Sequence, residues 1–153
     1  MGDEDLEIAL PAGVSLLIDT SVVLAYLTGT EPTSPQATQL FDSFIANGRN
    51  PAALSTVTVQ EILVRPFRRG SAAVATAEGF LRHFAEIRIV DVSYEIAREA
   101  ARIRSVTELR TPDALIIATA VVSAVDVVVT NDRSWGAPIQ AAGLTLRMHQ
   151  LGE

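Results

Sequence analysis

The chain has 153 residues, is 48% hydrophobic and 20% charged, carries a formal net charge of −6 and contains no cysteine. That length suits one domain with a substantial core, and the missing cysteine excludes disulfides, a thiol nucleophile and cysteine-ligated zinc. Net acidity excludes a uniformly basic, nucleic-acid-coating surface, but all twelve basic residues are arginine, the side chain suited to bidentate phosphate contact, so a local basic rim around an acidic centre remains compatible with the charge.

Residues 1–13 read as an N-terminal arm, and residues 14–153 as a single domain. The opening MGDEDLEIALPAG is acidic and lacks the charged-then-apolar pattern of a secretory leader. Val14 to Asp19 is a short apolar run, the first expected strand. Val22, Val23, Tyr26 and Leu27 then recur at helical spacing. Pro32, Ser34 and Pro35 mark a loop and a helix start; Leu40, Phe41, Phe44 and Ile45 follow, and Gly48 closes the segment. A second buried strand is expected over Ala52 to Thr56, followed by a helix over Thr58 to Phe67 interrupted at Pro66. Gly70 restarts an alanine-rich helix ending in Phe80, Leu81 and Phe84. Ile87 to Val92 is the third strand, and Ser93 caps a helix with Ile96, Ala100 and Ile103 on one face. Pro112 opens another helix, Val127 to Thr130 is the fourth strand, and Leu144 to Met148 alternates like a fifth. The longest near-apolar stretch, Ala114 to Val125, is too short to span a bilayer, so a soluble, cytoplasmic protein without a membrane partner is expected. Strand and helix in alternation imply an α/β fold with a parallel sheet under helical cover.

Four acids sit where one element turns into the next: Asp19 in LLIDTSV, Glu61 in STVTVQEIL, Asp113 in LRTPDALIIATA and Asp132 in VVVTNDRSW. Each has an ordinary local explanation. Asp19, Thr20 and Ser21 are good helix N-caps; Thr58 and Glu61 form an S/T-x-x-E capping box; Thr111, Pro112 and Asp113 suit a helix start; Asn131 and Asp132 suit a turn. Together, however, all four fall at one edge of the inferred sheet, where ligands of α/β folds bind. Carboxylates gathered there repel each other unless a hard cation neutralises them. Rival chemistries lack their parts: there is no G-x-S-x-G, H-E-x-x-H, Walker or G-x-G-x-x-G motif, and the two histidines, His83 and His149, lie outside these strings and read as surface residues.

These four strings, in this order, resemble the PIN domain family, most nearly the VapC-type toxins of VapBC toxin–antitoxin pairs, over Leu16 to Leu151. The resemblance implies a three-layer α/β/α sandwich around a parallel sheet, Mg2+ or Mn2+ dependence and endoribonuclease activity. It places Asp19, Glu61, Asp113 and Asp132 on the family's acidic quartet, as catalytic and metal-binding residues. Ser21 and Thr130 fall on small polar positions beside it, where they would align carboxylates or contact phosphate. It further implies a homodimer and a VapB-like antitoxin whose C-terminal segment lies over the acidic cleft and sets an arginine against the carboxylates. Tyr26, Leu27 and Phe41 are candidate groove walls, with core packing the competing role for Phe41. Arg65, Arg68 and Arg69 form the densest basic cluster, read equally as an RNA-steering patch or a solvated helix end. Two other readings stay open: a non-toxin nuclease of the same fold acting in RNA maturation, and a non-catalytic binding module whose acids only cap helices.

Overall fold

The computed structural model describes residues 3–152. Helix α1 (Asp3–Ala9) precedes β1 (Leu16–Ile18). Helices α2 (Thr20–Thr28) and α3 (Ser34–Gln39), with a π-helical stretch (Leu40–Ile45), lead to β2 (Ala52–Ser55). Helices α4 (Thr56–Arg69) and α5 (Ser71–His83) lead to β3 (Ile87–Val90), and α6 (Tyr94–Ser105) and α7 (Thr111–Val122) to β4 (Val127–Thr130). Helix α8 (Gly136–Ala141) and β5 (Arg147–Gln150) close the chain.

The strands pair in parallel in the order β3-β2-β1-β4-β5. Strand side chains alternate between faces, and the core divides accordingly. Leu16, Ile18, Ala52, Leu54, Val127 and Val129 pack with Leu6, Leu10, Val22, Phe41, Phe44, Ile62 and Phe84 on one side. Leu17, Ala53 and Val128 pack with Ile96, Ala100, Ile103, Ile116, Ile117, Trp135 and Ile139 on the other. Because β1, β2 and β4 are covered on both faces, every one of their residues is buried, which explains the unbroken apolar runs of the sequence. The result is the expected three-layer α/β/α sandwich. Among the described residues no helix is long and apolar enough to cross a membrane.

From β1 the chain builds outward through β2 to β3, then crosses back to lay β4 on the other flank of β1. The carboxyl ends of β1 and β4 therefore flank the topological switch point, the usual ligand crevice of an open α/β sheet. Asp19 and Thr130 stand on its two sides.

Several boundaries differ from expectation. Helix α4 runs through Pro66 to Arg69: proline removes one bond to the carbonyl four residues back, close to the helix end, and the turn still closes through the Gly70 N–H donating to Pro66 O at 3.1 Å. The N-cap of α4 is Ser55, whose hydroxyl accepts from the Val57 N–H, so Thr58 lies inside the helix and forms no capping box. The fifth strand is Arg147–Gln150 rather than Leu144 to Met148; Leu144 and Leu146 pack against the core from the preceding loop. In the segment read as an arm, Leu6 of α1 and Leu10 just after it are buried in the core. Phe41 belongs to the core, within an aromatic cluster with Tyr26, Phe80 and Phe84.

Candidate active site

Asp19 follows β1 in an extended conformation and is the N-cap residue of α2, yet its side chain makes no helix-capping bond. Its backbone N–H instead continues the sheet by donating to Val129 O at 2.9 Å. The carboxylate, 5% exposed, accepts two hydroxyl bonds on the same oxygen: Ser21 Oγ donates to Oδ2 at 2.7 Å and Thr130 Oγ1 at 2.8 Å. Each hydroxyl is polarised from behind by a backbone amide of the loop after β4. The Asn131 N–H donates to Ser21 Oγ and the Asp132 N–H to Thr130 Oγ1, both at 2.9 Å. The Asn131 side-chain amide donates to Thr33 Oγ1 at 2.9 Å and to Ser21 O at 3.3 Å, which fastens this loop to the start of α2.

Burial raises the Asp19 carboxyl above its ordinary value; the Ser21 and Thr130 hydroxyls and the Thr20 N–H oppose this, and the charge of Asp113 adds to the rise. Net elevation despite three donors means that the charged form is held at a cost, which a cation relieves.

Glu61 lies in the second turn of α4, half-buried, and its Oε1 accepts from Thr20 Oγ1 at 2.8 Å. That bond brings Glu61 to the residue next to Asp19. Asp113 sits in the first turn of α7, close enough to Asp19 to perturb it. Arg110, the N-cap of that helix and itself largely exposed, donates from Nε to Asp113 Oδ2 at 3.2 Å. Asp132 behaves differently. Its backbone is tied to Thr130, but its Oδ1 accepts from the Ser134 N–H at 2.8 Å and the Ser134 hydroxyl at 2.6 Å, the local turn bonding expected of such a residue.

Asp19, Ser21 and Thr130 are thus joined directly, Glu61 through Thr20, and Asp113 through its field, whereas Asp132 faces its own turn. Among the described residues no three acidic or imidazole side chains gather closely enough to hold one ion. The donors nonetheless suit a hard cation: they are carboxylates at a site where like charge accumulates, and Mg2+ commonly binds through only one or two carboxylates while keeping several waters. Arg65, Arg68 and Arg69 are exposed along the end of α4, where the last two also complement the negative end of the helix. His83 is exposed against Phe84, and His149 lies in β5. Sequence reading missed Thr20 and Thr58. Their only signal in the sequence is position, Thr20 next to Asp19 and Thr58 three residues before Glu61, and the latter spacing equally suits a capping box.

A PIN domain family model matches residues 16–137. The chain belongs to the PIN domain family. All four acids lie inside the matched segment. Comparison with curated proteins finds no match. Among solved structures, this PIN domain is similar to FitAcB from Neisseria gonorrhoeae, at 23% identity and a TM-score of 0.65 over 86% of this chain and 96% of that one. It is similar to DNA-bound VapBC from Salmonella typhimurium, at 15% identity and a TM-score of 0.63 over 90% and 98% of the two chains. It is also similar to VapC20 from Mycobacterium tuberculosis, described as a sarcin-ricin loop cleaving toxin, at 20% identity and a TM-score of 0.64 over 80% and 93%. At these identities the likeness is one of fold.

Proposed function

We propose that this PIN domain is a divalent-metal-dependent endoribonuclease acting as the toxin of a toxin–antitoxin pair. The observation that carries the reading is Asp19: a buried carboxylate at the switch point, braced by two hydroxyls and sharing its surroundings with Asp113. Support for the toxin role comes from the similar solved chains, which include a toxin–antitoxin complex, VapBC complexes and a sarcin-ricin loop cleaving toxin.

In this reading Asp19 and Asp113 hold Mg2+ or Mn2+, Glu61 completes the site by ligating or by orienting the attacking water, and Asp132 joins after turning away from Ser134. When bound, the ion supplies Lewis-acid polarisation of the phosphoryl oxygens and acidifies water. Ser21 and Thr130 fix the orientation of the Asp19 carboxylate, as outer partners of metal ligands do. Burial of Asp19 excludes bulk water from its hydroxyl-bound oxygen. Arg65, Arg68 and Arg69 contribute phosphate attraction from the end of α4. The partners are an RNA substrate, a VapB-like antitoxin and a second copy of the chain.

The test is cleavage of RNA by the purified chain with Mg2+ or Mn2+ and with chelator. Metal-dependent internal cleavage that Asp19→Asn abolishes is the expected result; no cleavage by the wild type under either ion would sink the reading. The turn bonding of Asp132 favours a second reading, a non-catalytic binding module whose acids serve local structure. That alternative predicts no metal response in melting or titration.

A further inference from the structure

Thr20 Oγ1 stands 2.9 Å from Thr58 Oγ1 and 2.8 Å from Glu61 Oε1. A hydroxyl carries a single proton, and an ionised carboxylate can only accept. Thr20 therefore gives its proton to Glu61, and the bond between the two threonines is made by the Thr58 proton donated to Thr20. The direction of the chain is fixed by this count alone. Thr58 is fully buried and Thr20 is 8% exposed, so water competes poorly and each bond polarises the next.

The helix geometry makes the arrangement specific. Residues three apart share a helix face, so Thr58 and Glu61 stand side by side on α4, opposite the first residue of α2. A threonine inside a helix commonly returns its proton to the carbonyl four residues back. Thr76 and Thr119 do so in this chain, to Ala72 O and Leu115 O. Thr58 bonds instead across the gap between two helices.

We infer that Thr20 and Thr58 are positioning residues: an ordered relay, Thr58 to Thr20 to Glu61, holds the Glu61 carboxylate at the head of α2 beside Asp19. Neither threonine touches the reacting atoms, and both act through Glu61. The inference rests on the assignment of Glu61 to the proposed metal site.

The test uses Thr20→Val and Thr58→Val, which keep shape and lose the hydroxyl, with Thr20→Ser and Thr58→Ser as hydroxyl-restoring partners. Loss of an outer partner of a metal ligand typically costs about 10- to 100-fold in affinity or activity. Thr20→Val is expected to lower kcat for RNA cleavage by about that factor, with KM within roughly twofold, and to weaken Mn2+ binding measured by titration calorimetry. Thr58→Val shifts both quantities the same way by less, and each serine variant restores them. In a Glu61→Ala background, Thr20→Val changes neither quantity further, because both lesions act through one carboxylate. Should a valine variant melt below the assay temperature, Thr20→Ala and Thr58→Ala take its place, with Mn2+ affinity as the readout. Wild-type kcat and Mn2+ affinity in Thr20→Val, failure of serine to rescue, or a second full loss in the Glu61→Ala background would each overturn the relay. Wild-type cleavage and Mn2+ affinity in Glu61→Ala alone would remove Glu61 from the site and the relay with it. An impaired Glu61→Ala beside an unimpaired Thr20→Val rejects the relay only.

Discussion

The Thr130 hydroxyl donates to Asp19 Oδ2 at 2.8 Å across 111 positions of sequence. This bond ties the last residue of β4 to the residue just after the neighbouring β1, and it fixes one carboxylate oxygen at the switch point. A charged acceptor makes such a bond worth more than a neutral one, about 1.5–3 kcal/mol. Thr130→Val is therefore expected to lower stability by about that amount in urea unfolding with chelator present. A change below about 0.5 kcal/mol would show that Ser21 alone suffices.

Asp19 gives a pH-dependent signature. Its carboxyl is raised above the ordinary value by burial, with Asp113 adding to the effect, so the fold prefers the protonated form. The contribution of Asp19 to metal-free stability is complete below the ordinary carboxyl value and is lost as pH climbs through the raised one. Asp19→Asn carries no such charge, and its amide oxygen still accepts from Thr130 and Ser21. In chelator the melting temperature of the variant relative to wild type should rise as pH increases from below about 4 toward neutrality. A flat or falling difference across that window contradicts the assigned direction.

Metal should reverse the balance. At a hundredfold excess over its dissociation constant, a bound ion stabilises the native state by about 2.7 kcal/mol, on the order of 5–10 °C in melting temperature for a chain of this size. The wild type is expected to gain that from Mn2+, and Asp113→Asn to gain little. Equal gains would place the ion elsewhere.

Arg110 competes for Asp113 from its own helix. Its side chain is 75% exposed, so the ion pair is worth roughly 0–1 kcal/mol. Arg110→Ala should leave stability within about 0.5 kcal/mol of wild type and tighten Mn2+ binding measured by titration. Weaker binding in the variant would show that Arg110 supports the site instead.

Asp132 is held by Ser134 within its own turn. Asp132→Asn should therefore reduce RNA cleavage at least tenfold less than Asp19→Asn, with initial rates at saturating Mn2+ as the measure; equal losses would mean that Asp132 swings fully into the site.

The layered fold was legible because strands buried on both faces must read as continuous apolar runs, as LLI, AALS and VVVT do. Asp19 and Asp113 were legible as acids at element junctions, whereas Glu61 lies a full turn inside α4, because that helix starts at Thr56. The roles of Thr20 and Thr58 were not legible, since a hydroxyl bond between α2 and α4 depends on how two helices approach, which no local spacing encodes. The depth of α1 was hidden for a related reason. Leu6 and Leu10 look like isolated apolar residues in an acidic segment, and only the surface of the sheet reveals the space they fill. Leu6→Ala should accordingly cost about 2–5 kcal/mol in urea unfolding, as deletion of a core leucine does.

The β1–β4 pairing also sets an order in time. A growing polypeptide displays Asp19 early, but the strand that flanks it and the Thr130 hydroxyl emerge more than a hundred residues later. At roughly 5–20 residues per second of synthesis, that interval lasts several seconds. Throughout it the Asp19 side chain lacks its Thr130 brace. Ribosome-bound chains stalled before Val127 are accordingly expected to yield no cleaved RNA, whereas the released 153-residue chain is expected to cleave it. In the proposed nuclease this late contact between β1 and β4 would act as a safety catch during manufacture, completing the acidic edge only after four of the five strands have been made.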